Sequence, residues 1–417
     1  MPWYSGLIFV VLLLAGCASN QPTIGKKSFD KEDEYIIKGL LYEETNTTKA
    51  INTFQFLYNK TDNYVYLKEV IKLNFEAKKY NKTILLVDKF IKKYPSLSDE
   101  VILYKIDSYI ILEKSNKALK IAKQYIKKHR NVDMYKRIAF IYIQQHKYNK
   151  AIVYLKTIYS INHSPKVLSE MGDLFFRYLK QPNEAISYYQ TYIHQYGCEI
   201  SICKRLAYVY QSLYDYDDLI VIYKKMYQNN PTDEFARKII YLYLEIQDYD
   251  KALKFIEKNN LDVRFKYLVY KSRFDITKDY KDAYRLYKIT GKLNYLFLYT
   301  TYKFQHSKKG LADLNFLIKN LEFLVKKDKN PLYLNYLGYI LIDYDINPNR
   351  GIKLVKEALK IHPNDKAFLD SLAWGYYKIH KCKKAYDIIS KIKLKDKDIN
   401  KHKKLIRRCY DSRKNNK

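Results

Sequence analysis

Five cysteines are spread over 417 residues: Cys17, Cys198, Cys203, Cys382 and Cys409. If Cys17 is modified, an even four remain, which suits two disulfides in an oxidising compartment. A helix expected over about 382–395 and another over about 397–412 form an antiparallel hairpin whose turn falls midway between Cys382 and Cys409. In such a hairpin the two thiols lie side by side, so a bond there staples the last helix. Cys198 and Cys203 bracket a turn into a helix and form the second candidate pair. The alternative at each site is a pair of ordinary free thiols.

Other reactive constellations are missing. Gly25-Lys26-Lys27-Ser28 has the end of a phosphate-binding loop without its upstream glycine, and neither H-E-x-x-H, G-x-S-x-G nor C-x-x-C occurs. The histidines are scattered singly, as at His146, His194 and His362, mostly near expected turns. His380 and Cys382 have no further ligands beside them, so no metal site is expected. No catalytic residue and no cofactor follows from the sequence, and the expectation is a protein that is not an enzyme. Glu44-Thr45-Asn46-Thr47-Thr48 fits an acidic N-glycosylation sequon and makes Asn46 a candidate acceptor.

The first residues, MPWYSGLIFVVLLLAGCASN, read as a targeting segment. The apolar run Leu7 to Leu14 is too short to span a bilayer comfortably. It ends in Leu14-Ala15-Gly16-Cys17, which resembles the lipobox of bacterial lipoprotein signal peptides, although no Lys or Arg precedes it. The resemblance implies diacylglyceryl transfer to the Cys17 thiol, cleavage before it, and N-acylation of the new terminus. Several acyl chains anchor stably where one does not. Ala18, in place of the Asp that the enterobacterial sorting rule reads as inner-membrane retention, implies an outer-membrane, periplasm-facing protein. Residues 1–16 are thus read as a signal peptide and 17–34 as a flexible tether.

Self-similarity organises the rest. Tyr135, Ile138, Ala139, Tyr142, Tyr148, Ala151, Leu155 and Ile158 fall in a 34-residue unit beginning at 132, and comparable units begin near 200 and 233. The pattern resembles the tetratricopeptide repeat, in which small residues stand where two helices meet and large ones fill the gap to the next unit. The small-residue column reads Ala50, Thr83, Ala118, Ala151, Ala185, Leu219, Ala252, Ala283, Gly351 and Ala385, at steps of 31 to 35 except for one of 68. That double step hides an irregular unit between about 291 and 330. Few glycines (11) and prolines (9) argue against an all-β alternative. The expected fold is all-α: a right-handed superhelical solenoid of about eleven helix-turn-helix repeats over 35–395, closed by a basic capping helix over 396–417.

Residues 335–392 resemble something narrower. Asn335, Leu337, Gly338 and Tyr339, then Glu357, Ala358, Leu359, Pro363 and Asp365, then Asp370, Ser371, Leu372, Ala373 and Trp374 match the closing repeats of bacterial envelope tetratricopeptide lipoproteins, with Ala373 replacing a glycine. This resemblance implies an adaptor that docks substrates to carboxyl-terminal processing proteases.

In a tetratricopeptide superhelix, fixed positions of each first helix face a concave groove. Those positions hold Phe140, Tyr208, Tyr241, Tyr339 and Trp374, then Phe75, Phe176 and Tyr377, with Lys136, Lys204 and Arg237 beside them. An aromatic floor with basic neighbours suits an acidic extended or helical peptide. The expected partners are periplasmic or outer-membrane proteins in this groove and the membrane through Cys17. A formal charge of +32 adds an anionic cell-wall polymer as an alternative partner, or reflects lysines on solvated faces. Nucleic acid is not expected outside the cytoplasm. A structural role in a large envelope machine, such as a flagellar motor or secretion apparatus, is the competing functional class.

Overall fold

A computed structural model of the chain describes residues 29–393 and 396–415. The expected signal segment, Cys17 and most of the tether lie outside the described residues. Among the described residues there is no strand. No helix among them is long and apolar enough to cross a membrane. Two compact units divide at Val209 and Tyr210.

The first unit holds five helix pairs: α1 (Glu32–Thr45) with α2 (Thr47–Thr61), α3 (Tyr64–Glu76) with α4 (Tyr80–Lys93), α5 (Ile102–Ile111) with α6 (Ser115–Ile126), α7 (Val132–Gln144) with α8 (Tyr148–Asn162), and α9 (Pro165–Asp173) with α10 (Pro182–Tyr196). It also holds most of α11 (Ile200–Ser212). The second holds α12 (Tyr216–Asn229), then α13 (Asp233–Glu245) with α14 (Tyr249–Lys258), α15 (Val263–Thr277) with α16 (Tyr280–Thr290), α17 (Leu293–Gln305) with α18 (Leu311–Lys327), α19 (Pro331–Asp343) with α20 (Pro348–Ile361), and α21 (Lys366–Lys378) with α22 (Cys382–Ile389). α23 (Lys397–Asn415) comes last. Counting α11 with α12 in sequence order gives eleven units. α1 begins at Glu32, inside the stretch read as tether.

One packing rule generates the repeat. The fourth residue of each second helix is the small-column residue, from Ala50 in α2 to Ala385 in α22. Ala50, Thr83, Ala118, Ala151, Ala185, Ala252, Ala283 and Ala385 are all fully buried. Gly351 takes the rule to its limit. A Cβ there would sit 2.6 Å from the Gly338 carbonyl oxygen, so α19 and α20 approach backbone to backbone. The turns between paired helices repeat as well. Lys78, Glu113, His146, Lys180, Tyr214, Gln247, Lys278, Lys309, Asp345 and His380 each adopt left-handed backbone (φ 53° to 59°) just before a second helix. The chain closes these turns without glycine. Side-chain oxygens then cap several second helices; Asp248 accepts from the Lys251 amide at 3.1 Å and Asn347 from the Arg350 amide at 3.0 Å.

The hidden unit is α17 with α18. Its column position is Leu314, large but buried at 8% exposure within a leucine core of Leu317, Leu321 and Leu324. α18 runs 17 residues, which absorbs the irregular spacing. A second irregularity follows α9, where Leu174–Tyr178 form one π-helical turn closed by the Leu179 amide on the Leu174 carbonyl at 2.9 Å.

Candidate functional site

Three first helices carry the same exposed pair four residues apart: Lys136 and Phe140 on α7, Lys204 and Tyr208 on α11, Arg237 and Tyr241 on α13. Residues at this spacing share a helix face. Phe140 is 48% exposed, Tyr208 50% and Tyr241 50%. The packed interior has no use for these rings, since neighbouring aromatics such as Tyr142, Tyr210 and Tyr243 are buried.

In the first unit the expected residues line two clefts. Lys136 and Phe140 border one of about 420 Å³ with Leu155, Lys166, Val167 and Glu170. Glu170 reaches solvent, yet burial against the cleft walls pushes its carboxyl above the ordinary range; Lys166 and Lys136 pull it back down. Phe176, Lys204 and Tyr208 border a second, smaller cleft of about 230 Å³. Phe176 lies in the π turn and meets Tyr208 edge-on at 5.8 Å. The Arg177 guanidinium sits 5.5 Å from the centre of the Tyr208 ring, and Arg205 donates to Asp173 at 2.7 Å. Each cleft thus has an aromatic wall and a basic rim.

In the second unit Arg237 and Tyr241 are exposed, while Tyr339, Trp374 and Tyr377 are each at least partly covered. Tyr339 is half-buried, and burial pushes its hydroxyl well above the ordinary range. Trp374 is a correction to the expected groove. It is only 7% exposed, its indole N–H donates to Asp343 at 2.9 Å, and the His402 ring of α23 stacks on it at 4.1 Å. α23 packs on α21 and takes the position that is open in the earlier repeats. Tyr377, one turn on along α21, is half-buried and also stacks on Trp374 at 4.8 Å.

The structure bonds Cys198 to Cys203 and Cys382 to Cys409, each with 5.7 Å between Cα atoms. Asn46 is exposed, and its Oδ1 accepts from the Lys49 amide to cap α2. Modification would use Nδ2, so capping and glycosylation do not compete. Sequence reasoning missed His402, which is buried at 5% and bonded to Asp370 at 2.9 Å rather than placed on a turn. The signal for it was present: Ile399, His402 and Ile406 are spaced as one buried face of α23. Among the described residues no three His, Cys, Asp or Glu side chains gather where a metal ion could be held.

Helix pairs at a step near 34 residues, a buried small-residue column and uniform left-handed turns make these tetratricopeptide-type repeats. No protein-family model matches the chain. A TPR repeat-containing protein of Pseudomonas aeruginosa is 33% identical over 82 residues, covering 19% of this chain and 13% of that protein. The matched stretch is therefore a small part of the relative's length. Among solved structures, Naa15/Naa10 bound to HypK-THB is 14% identical, covering 85% of this chain and 57% of that one at a TM-score of 0.40. YrrB, described as a TPR protein with an unusual peptide-binding site, is 12% identical, covering 44% of this chain and 94% of its own at 0.33. At such scores the fold rests on the chain's own helix pairs.

Proposed function

We propose that this chain is a non-catalytic scaffold or adaptor that binds a protein partner along the first-helix faces of its repeats. The observation that carries the reading is the repeated exposed pair: a basic residue and an aromatic ring four positions on, at Lys136 and Phe140, Lys204 and Tyr208, and Arg237 and Tyr241. Rings half out of water at equal register are costly in solution and serve as anchors in an interface. Ammonium and guanidinium groups beside them favour an acidic or helix-presenting segment. YrrB's peptide-binding description is consistent with this use of such repeats.

The finer reading is a lipoprotein held at the periplasmic face of the outer membrane by acylated Cys17. Its support is the Leu14-Ala15-Gly16-Cys17 sequence alone. Within that setting, the residues of 335–392 favour an adaptor for an envelope protease or a peptidoglycan enzyme.

Crosslinking in intact cells, purification and mass spectrometry test both levels. One or two dominant envelope proteins should be recovered with the native chain and lost with Lys204→Glu plus Arg237→Glu, while the thermal melt stays unchanged. Recovery that ignores both charge reversals would overturn the groove reading. Recovery of many components of one machine at fixed ratio would replace adaptor by structural component. A Cys17→Ala chain that still fractionates with membranes would overturn the anchor.

A further inference from the structure

A third cleft, of about 480 Å³, lies entirely in the second unit, between α12 and α14. Its floor includes Tyr243 of α13, which is 3% exposed. Tyr243 is two residues from Tyr241, so the two rings leave α13 about 200° apart. The cleft therefore opens away from the exposed first-helix face, and a ligand held in it is independent of the groove.

Its rim is basic on both sides. Lys251, Lys254 and Lys258 form one stripe on α14, and Lys224 stands across from them on α12. Like charges three and four residues apart destabilise a helix by a few tenths of a kcal/mol per pair. Two of the acidic side chains nearby pair elsewhere. Glu257 pairs with Lys266 at 3.2 Å, and Asp250 with Arg273 at 3.4 Å. Lys251 is held by Asp248 at 2.7 Å. Lys254 shares the Asp248 carboxylate electrostatically with Lys251, and Lys224 and Lys258 make no ion pair among the described residues. Lys224 is instead placed over the Tyr243 ring, 5.2 Å from its centre. Phe255 and Tyr227, edge to face at 5.3 Å, supply an apolar wall.

We propose that this cleft is a binding site for a phosphate-ester group. The cationic groups are ammonium only, with no guanidinium among the lining residues, and the Gln228 and Asn259 amides stand beside them. A planar carboxylate is best matched by the two-pronged fork of Arg, whereas several converging Lys point charges suit a compact, multiply charged anion. The aromatic wall and the cleft's volume leave room for the body that carries the phosphate, a sugar ring or a glycerol. Phosphosugars and phospholipid headgroups share this chemistry.

The test is calorimetric titration of the full chain in detergent with glucose 6-phosphate, glycerol 1-phosphate and glucose at low and moderate salt. Both phosphates should bind and glucose should not. Binding to Lys254→Gln plus Lys258→Gln should fall about tenfold, with Lys225→Gln, on α12 but outside the cleft, close to native. Tighter glucose 6-phosphate supports the site and assigns a phosphosugar; equal or tighter glycerol 1-phosphate supports it and assigns a headgroup. Equal losses in the double variant and in Lys225→Gln, matched for charge by adding Lys319→Gln, would show only a diffuse field and overturn the proposal. So would binding that survives the double variant intact. An unchanged thermal melt in the variants excludes unfolding as the cause of a loss.

Discussion

The Lys156 ammonium lies 5.3 Å from the centre of the Phe175 ring and 5.3 Å from that of Tyr188, two rings stacked at 5.7 Å. The same relationship recurs nineteen residues apart, with Lys123 over Tyr142 and Lys224 over Tyr243. In each case a second helix reaches a ring near the end of the following first helix. The lysine stem covers apolar surface while its head meets the ring face. Part of the basic excess is therefore structural. Replacing Lys156 by Gln should lower stability by about 0.5–1 kcal/mol. In a Phe175→Leu, Tyr188→Leu background the same replacement should cost close to nothing. A double-mutant cycle by urea denaturation measures the difference; equal costs in the two backgrounds would remove the ring contact from the account.

Gly351 is the strictest position of the packing column. Alanine serves at the equivalent sites of most units, yet here a methyl group would lie 2.6 Å from the Gly338 carbonyl oxygen and 2.7 Å from Ile342. The obstruction is backbone, so it cannot rotate aside. Gly351→Ala should therefore destabilise by about 1–3 kcal/mol through overpacking, despite alanine's higher helix propensity. The reverse change, Ala252→Gly, should cost about 1 kcal/mol for the opposite reason: lost packing and a more flexible unfolded chain. Thermal melts of the two variants report the sizes, and hydrogen exchange locates the loosening in α19 and α20 for the first.

These positions show what was legible in the sequence. The column at Ala50 through Ala385 could be read because crossing helices admit only small side chains, and that constraint recurs at nearly constant spacing. Leu314 broke the reading, since a longer α18 and a leucine core tolerate bulk where other units do not. Phe140, Tyr208 and Tyr241 could be placed on an exposed face because helical register alone decides it. Trp374 could not. Its register is the same, but its exposure depends on α23, a long-range contact with no local signature. The π turn that carries Phe176 was likewise invisible, because one extra residue in a helix leaves the apolar pattern almost intact. The lysine stripe at 251, 254 and 258 has no local signature either, because its opposite wall is supplied by α12.

Glu170 gives the first-unit cleft a pH dependence. Its carboxyl is raised by burial, so the folded chain favours the protonated form more than the unfolded chain does. The ionised group therefore opposes folding slightly as pH rises through its folded-state value, and the penalty disappears at lower pH. For binding, neutralising Glu170 removes a negative charge from beside Phe140 and Lys166, while Lys136 keeps its pairing with Asp133 at 3.1 Å. An acidic partner peptide should bind more tightly as pH is lowered through the raised Glu170 range, short of protonating its own carboxylates. Glu170→Gln should bind as tightly at about pH 7 as the native chain does at the lower pH, with a flat profile between. Fluorescence anisotropy of a labelled acidic peptide reads this; an undiminished pH slope in the variant would remove Glu170 from the cause.

Apolar burial, a wedged imidazole and a disulfide together keep α23 docked. Ile399 and Ile406 are buried, His402 is wedged between Asp370 and the Trp374 ring, and Cys382–Cys409 ties α22 to α23. The bond closes a loop with a sequence separation of 27. In the chain-entropy model this contributes about 3–4 kcal/mol, and the contribution is local because neighbouring repeats are stapled by packing alone. Cys382→Ala plus Cys409→Ala should therefore speed amide exchange in α23 and the second half of α21 by one to two orders of magnitude, on the order of that energy after some relaxation, and leave α13 to α16 unchanged. Trp374, one of two tryptophans in the chain, reports the same event optically, because undocking removes the stacked imidazole and the Asp343 acceptor from the indole. The variant's emission should shift toward that of exposed tryptophan at a denaturant concentration where the native chain is still unaltered. If α23 exchanges at the same rate in both, its hydrophobic face and the His402–Asp370 contact hold the helix without help from the disulfide.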